Sequence, residues 1–329
     1  MDKKRVLSGM QPSGRLHLGN LIGALSNWVK LQESYNCFYF VADWHALTTG
    51  YNNPSAIKDS TIDLLVNFIS AGLDPEKSTI FIQSMVPNHA ELHILLSMIT
   101  PVGWLERVPT YKEKIQEIQD KDINSYGFLG YPVLQTADII IYRAHYVPVG
   151  VDQVPHLEIS REISRRFNHL YKEVFPEPEA LLTEFPKVLG VDGRKMSKSY
   201  DNAIYLSDSP VIVDNKIKTM MTDPARVKRK DPGNPEVCPA YQLHKFFSNS
   251  QELSEISEGC KIALIGCIDC KKILIKNVSD RLTPLWEKRS QLLQKEGLLM
   301  DIARVGSEKA QKFTAETMNL VKDAMGLSL

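Results

Sequence analysis

Two short stretches carry the residue types that phosphate chemistry needs. "QPSGRLHLGN" (Gln11–Asn20) follows an apolar run and opens a helical one. A helix N-terminus offers unpaired backbone N–H groups and partial positive charge, and glycines let a ligand approach the chain closely. His17 and Asn20 lie one helical turn apart, both able to donate hydrogen bonds toward charge building on a phosphate. The stretch contains neither the G-x-G-x-x-G of dinucleotide folds nor the G-x-x-x-x-G-K-[ST] of a P-loop. Read alone, it serves equally as a Pro/Gly turn with a surface histidine. "GRKMSKS" (Gly193–Ser199) sets Lys195 and Lys198 three apart between Gly and Ser. Such a cationic loop suits a leaving polyphosphate, or is ordinary solvated surface. "GVDQ" (Gly150–Gln153) ends a strand, and Asp152 either accepts bonds from a ribose or ammonium group or caps the next helix.

A different chemistry is implied by Asp138 in "LQTADIIIY". A carboxylate in so apolar a run is costly to bury without a donor; a salt bridge to Arg143 or a solvent-facing helix position are the plainer readings. Cys238, Cys260, Cys267 and Cys270 form the pattern C-x21-C-x6-C-x2-C, while Cys37 stands apart in an apolar run. Four thiolates suit tetrahedral zinc or an iron–sulfur cluster, although zinc sites more often show two C-x2-C knuckles. Plain buried thiols are the third possibility.

The elements that must hold these residues alternate in type. "RVLSGM", "CFYFVADWHAL" and "TIFIQSM" read as buried strands, with "GNLIGALSNWVKLQES" and "SAIKDSTIDLLVNFISAG" as amphipathic helices between them, the second capped by Ser55 and stopped at Gly72. This alternation predicts an α/β, doubly wound parallel sheet. A charged helical insertion is expected over about 102–145, then a short strand "YVPVG" and a helix from Asp152 to about Phe167. "PEPEALLTEFP" reads as a proline-punctuated connection. Beyond Ser207 the patterns are helical: "SPVIVDNKIKTMM", "LLQKEGLLMDIARVG" and "EKAQKFTAETMNLVKDAMG". The expected layout is a domain over 1–206 and an all-helical one over 207–329. With 329 residues, 43% hydrophobic, 24% charged and a formal net charge of zero, the chain reads as a globular protein with a sizeable core. Any nucleic-acid surface must be local, such as "RVKRK" (Arg226–Lys230), "CKK" (Cys270–Lys272) and Lys276. Neither a secretory segment nor a membrane span is legible, so a cytoplasmic location is expected.

"HLGN" and "KMSKS" resemble the two signature sequences of class I aminoacyl-tRNA synthetases, in the expected order. Together with "GMQPSG", "ADWHALT", "YKEK", "ADIIIY" and "VPVGVDQ", they resemble the tryptophanyl branch over nearly the whole chain. The alternatives are a tyrosyl-tRNA synthetase and a non-catalytic RNA-binding paralogue, the latter disfavoured by intact His17, Lys195 and Lys198. The resemblance implies a Rossmann-like catalytic domain, activation of L-tryptophan by ATP with magnesium, transfer to tRNA(Trp), and a homodimer.

It also implies roles. His17 and Asn20 would meet the triphosphate, and Lys195 and Lys198, with Lys114, the pyrophosphate. Gln11, Pro12, Ser13 and Gly19 would line the ATP side, with Met196, Ser197 and Ser199 in the cationic loop. Gly150, Val151 and Asp152 would hold the nucleoside, and Val188 the adenine through its backbone. Asp138 would accept the indole N–H, between apolar walls of Leu7, Tyr131, Val147 and Val149. Gln153 would orient the α-amino group, with His45 nearby. Gln135 stands where many bacterial relatives have methionine, and would add a second bond to the indole. "GCIDCKK" resembles a subset whose four cysteines carry a [4Fe–4S] cluster, on a first gap one residue longer than here.

Overall fold

The protein is described by a computed structural model over residues 3–108, 125–150, 153–182 and 187–328. Lys114, Val151, Asp152 and residues 109–124 of the expected insertion lie outside these described residues. Five parallel strands form the sheet: β1 (Arg5–Met10), β2 (Asn36–Val41), β3 (Ser78–Ile82), β4 (Tyr146–Val149) and β5 (Glu179–Leu182). Their spatial order is β3-β2-β1-β4-β5. The strands read as unbroken apolar runs because both faces are covered. Successive residues of β2 divide between the two cores: Cys37, Tyr39 and Val41 enter one cluster, Phe38 and Phe40 the other.

Three expected elements end or begin elsewhere. β2 stops at Val41, and "DWHAL" is the start of a helix, Asp43–Gly50. Asp43 supplies the reason: its carboxylate accepts the N–H of Trp44 and of Ser84 at the positive end of that helix. The following helix, Pro54–Ser70, is capped by Asn53 rather than Ser55, with Pro54 at its first position. "PEPEALLTEFP" is not merely a connection but holds edge strand β5, paired to β4 through its backbone. Four residues with an exposed Leu182 are too short and too wet to announce a strand.

The second half is helical: Pro210–Thr219, Pro239–Phe247, Ser250–Lys261, Cys267–Gln294 and Leu298–Ala324. "LLQKEGLLMDIARVG" is broken in two at Gly297, whose φ of 81° lies in the left-handed region. Side-chain packing is continuous across the expected boundary at 206/207. Leu274, Val278 and Leu282 share a cluster with Leu64 and Leu65, and Ala310, Met318 and Val321 share the other with Phe38 and Phe81. Leu298–Ala324 runs against the sheet edge at β3. A Cβ at Gly306 would stand 1.8 Å from the Ile80 carbonyl oxygen, so only glycine allows this approach. An otherwise open strand edge is thereby covered.

Candidate active site and cysteine site

A cavity of about 440 Å³ opens at the carboxyl ends of β1 and β4, where strand order reverses. Leu7, Tyr131, Val147 and Val149 supply its walls, and Gln11, Gly150 and Gln153 line it as well. Gly9 also borders it, and a Cβ there would stand 2.4 Å from the Phe40 ring. On the far side the helix Tyr131–Ile141 presents Gln135 and Asp138.

Asp138 is 2% exposed and neither bonded to Arg143 nor turned to solvent. Arg143 instead lies over the Phe313 ring. The carboxylate has three donors from the protein itself. His45 Nε2 stands 2.8 Å from Oδ2, and His89 Nδ1 stands 2.6 Å from Oδ1. Gln83 Nε2 sits between the oxygens at 2.8 and 2.9 Å. The expectation that the carboxylate waits for a single external donor is thus corrected. Burial raises its pKa, but hydrogen bonds from His45 and His89 outweigh this and hold it down at about 2. The magnitudes agree: bonds to a charged group contribute about 1.5–3 kcal/mol each, against a desolvation penalty of several kcal/mol. Gln83 and His89 were absent from the sequence-based set. The available signal was a glutamine closing the apolar run "TIFIQ" and a histidine in the first turn of the apolar helix Asn88–Ser97. His89 is anchored behind by Tyr142, whose hydroxyl meets Nε2 at 2.9 Å.

The two phosphate-type stretches lie side by side. Leu16 and Leu18 bond to Leu206 and Ile204 at 2.8 and 3.0 Å, tying the first stretch to the chain beyond the second. Lys198 Nζ then reaches across to the carbonyls of Ser13 (3.2 Å) and Gly14 (3.1 Å). His17 caps the helix that follows: its Nδ1 accepts the Gly19 N–H at 3.1 Å, while its own backbone N–H meets Asn20 Oδ1 at 3.0 Å. A Cβ at Gly19 would stand 2.9 Å from the His17 ring, so the glycine lets the imidazole fold over it. Burial, then nearby Lys198, lower the His17 pKa to about 4. The ring is neutral at pH 7 with its proton on Nε2, and the Asn20 amide N–H remains a second donor.

The cationic loop is held from inside. Asn202 accepts the Ser197 N–H at 2.8 Å and donates to Asp192 and to the Lys195 carbonyl. Met196 is buried in the core and donates its N–H to the Val188 carbonyl at 2.9 Å, so that carbonyl already has a partner. Ser199 donates its N–H to Ser197 Oγ, Lys195 is exposed, and Pro12 is buried beside exposed Ser13.

The four cysteines are brought to one place. Cys238 precedes the helix Pro239–Phe247, Cys260 sits near the end of Ser250–Lys261, and Cys267 and Cys270 occupy the first turn of Cys267–Gln294. Burial, then the other three thiols, push Cys270 up to about 12; Cys238 and Cys260 are also raised, chiefly by burial. Among the described residues no three His, Cys, Asp or Glu side chains are grouped to hold a single metal ion. Arg226, expected as surface charge, is buried instead. Its Nη1 lies 3.6 Å from Cys260 Sγ and its Nη2 donates to the carbonyls of Arg229 and Ile265, while Nε is buried with no partner. A Cβ at Gly233 would come within 2.6 Å of Cys260 Sγ.

A parallel sheet reversing at an amino-acid-sized cavity, beside two interlocked phosphate-type stretches, defines a nucleotide-dependent activating enzyme. The family model for tRNA synthetases class I (W and Y) matches residues 2–283, and the chain belongs to that family. Within it the similarity runs to the tryptophan branch. The chain is 56% identical over 325 residues to the tryptophan–tRNA ligase of Thermotoga maritima, covering 98% of this chain and 99% of that one. The crystal structure of tryptophanyl-tRNA synthetase from Campylobacter jejuni complexed with ADP and tryptophan superposes with a TM-score of 0.90. It is 36% identical, covering 98% of this chain and 100% of that one. A tyrosyl-tRNA synthetase from Archaeoglobus fulgidus complexed with L-tyrosine, 22% identical with a TM-score of 0.67, shares the fold alone, over 88% of this chain and 90% of that one. Among the described residues no helix is long and apolar enough to cross a membrane.

Proposed function

We propose that this chain joins tryptophan to tRNA(Trp) through the cavity at β1 and β4. The observation that carries the reading is the apolar cavity bordered by one buried carboxylate, Asp138, whose pKa is held down at about 2. An indole brings one N–H on an otherwise apolar body, which such a site recognises. Loss of a buried bond of this kind costs an analogue roughly 10⁴–10⁵ in selectivity. Gln135, on the same helix, is the second polar group for the indole, and Gln153 takes the α-amino group.

In the first step a tryptophan carboxylate oxygen attacks the α-phosphorus of ATP, and the bond to pyrophosphate breaks. In the second, the terminal ribose 2′-hydroxyl of tRNA attacks the adenylate carbonyl and AMP departs. The protein contributes position and charge. The His17 Nε2–H and the Asn20 amide donate to the phosphates, Lys195 and Lys198 neutralise pyrophosphate, and magnesium is held mainly by phosphate oxygens. Lys198, now on the Ser13 and Gly14 carbonyls, must release them to reach a phosphate. Lys114, Val151 and Asp152 complete the ATP side in this reading. Exposed Lys228, Arg229, Lys230 and Lys276 meet the tRNA, and the working form is a cytoplasmic homodimer.

In the same reading Cys238, Cys260, Cys267 and Cys270 would hold a [4Fe–4S] cluster, which would supply a covalent cross-link and negative charge. What supports it is Arg226, a buried cation whose Nη1 lies 3.6 Å from Cys260 Sγ and whose Nε has no partner; zinc on the same thiols is the alternative. ATP–pyrophosphate exchange with tryptophan, then with tyrosine, tests the activity. Exchange with tyrosine alone, or with neither, defeats it. Iron and zinc analysis of anaerobically purified protein tests the cluster, and one zinc without iron overturns it.

A further inference from the structure

Asp138 has no vacancy for an indole. An ionised carboxylate offers about four lone-pair sites, and each Asp138 oxygen already has two donors: Gln83 and His89 on Oδ1, Gln83 and His45 on Oδ2. Gln83 bridges both oxygens through one nitrogen, so these are four contacts from three donors, and a fourth donor must displace one of them. Gln83 and His89 are completely enclosed, and His89 is anchored at its other nitrogen by Tyr142. His45 borders the cavity, and among the described residues its ring makes one hydrogen bond, the one to Asp138. It rides on the helix Asp43–Gly50 rather than in the sheet.

We propose that tryptophan binds by donor exchange, its indole N–H taking over the Asp138 Oδ2 position that His45 Nε2 holds in the empty site. This rests on the reading that Asp138 recognises the indole. His45 is then a competitor built into the pocket. A ligand without an N–H leaves His45 on the carboxylate, because displacing it would strip the buried charge of a donor. The empty site stays ordered because the buried charge is always saturated.

The test uses the full chain and two ligands of one outline: tryptophan, and β-(3-benzothienyl)alanine, in which sulfur replaces the N–H. Calorimetry gives the affinity ratio of the two for the wild type, His45→Ala, His45→Gln and Asp138→Asn. In His45→Ala the carboxylate lacks a donor that only an indole can replace, so the ratio in favour of tryptophan rises about tenfold, by the worth of one hydrogen bond to a charged group. His45→Gln, which restores an N–H at similar reach, returns the ratio to the wild-type value. The ratio does not depend on how much of a variant is folded, since each isotherm reports its own stoichiometry. An unchanged or falling ratio in His45→Ala, with a ratio that collapses in Asp138→Asn, overturns exchange and leaves Asp138 as the indole acceptor. An Asp138→Asn protein with the wild-type ratio instead overturns the underlying reading, and Gln135→Ala then becomes the variant expected to lose it.

Discussion

Asp138 and Arg226 are both charges buried in protein, and they are treated in opposite ways. The carboxylate is saturated by His45, Gln83 and His89 before any ligand arrives, at 2.6 to 2.9 Å. The guanidinium donates to two carbonyls and lies beside a thiol, with Nε unpartnered. A fully partnered buried charge describes a preorganised site, whose geometry the ligand joins. An under-partnered one, with one nitrogen beside the Cys260 thiol, leaves part of its charge uncompensated. A buried ion without compensation is among the costliest features a fold can carry.

The largest effect that would break this contrast lies at Asp138. Asp138→Asn keeps the shape but turns two acceptors into one acceptor and one donor facing existing donors. Tryptophan-dependent pyrophosphate exchange is expected to fall at least 10³-fold in kcat/KM. Exchange within tenfold of the wild type would show that the saturated carboxylate is structural only. His17→Ala comes next. Removing one preorganised donor from the phosphates should lower kcat by about 10²-fold while tryptophan affinity is unchanged. A matching loss of tryptophan affinity would mean that the two stretches and the cavity are not separable as described.

At the other charge the expected effect is on stability. Arg226→Leu removes an incompletely partnered cation, so iron-free protein should melt higher, by on the order of 3 °C for a gain of about 1–3 kcal/mol. Iron-loaded protein should melt lower, because the leucine leaves cluster charge without its partner. Thermal melts of both forms decide it. If the two forms shift in the same direction, the orphaned Nε has nothing to do with the cysteines.

Much of this arrangement was legible in the sequence, and the omissions have physical causes. β1, β2, β3 and β4 announce themselves because a doubly covered strand must be apolar throughout. β5 did not, since its pairing is a backbone matter on a half-exposed edge. The loop of Lys195 and Lys198 could be placed beside His17 only through family resemblance. No spacing along the chain encodes Lys198 reaching Ser13, 185 residues away. The same limit hid Gln83 and His89. Gln83 closes an apolar run and His89 sits in the first turn of a helix, and only folding brings them to one carboxylate. Arg226 was misread for the complementary reason. In "RVKRK" it looks like its exposed neighbours, and burial separates it from them.

The smallest expected effect is an absence. An ordinary aspartate would begin to neutralise below pH 5, and tryptophan affinity would weaken with it. Asp138 is held down at about 2 from an ordinary value of 3.8 because the bonds from His45 and His89 overcome its burial. For a depressed carboxylate, the binding and stability it contributes are complete above the unfolded value and vanish only as pH falls through the folded one. Between pH 5.5 and 4.5 the charge on Asp138 therefore does not change. Calorimetric affinity for tryptophan should stay level across that interval, provided near-ultraviolet circular dichroism reports an intact fold. A decline centred near pH 4 to 5 in folded protein would give Asp138 an ordinary carboxyl and would mean that its three donors do not act together. A level profile in the wild type, with a decline appearing in His89→Ala, would assign the depression to the enclosed histidine rather than to His45, the donor that exchange requires to be expendable.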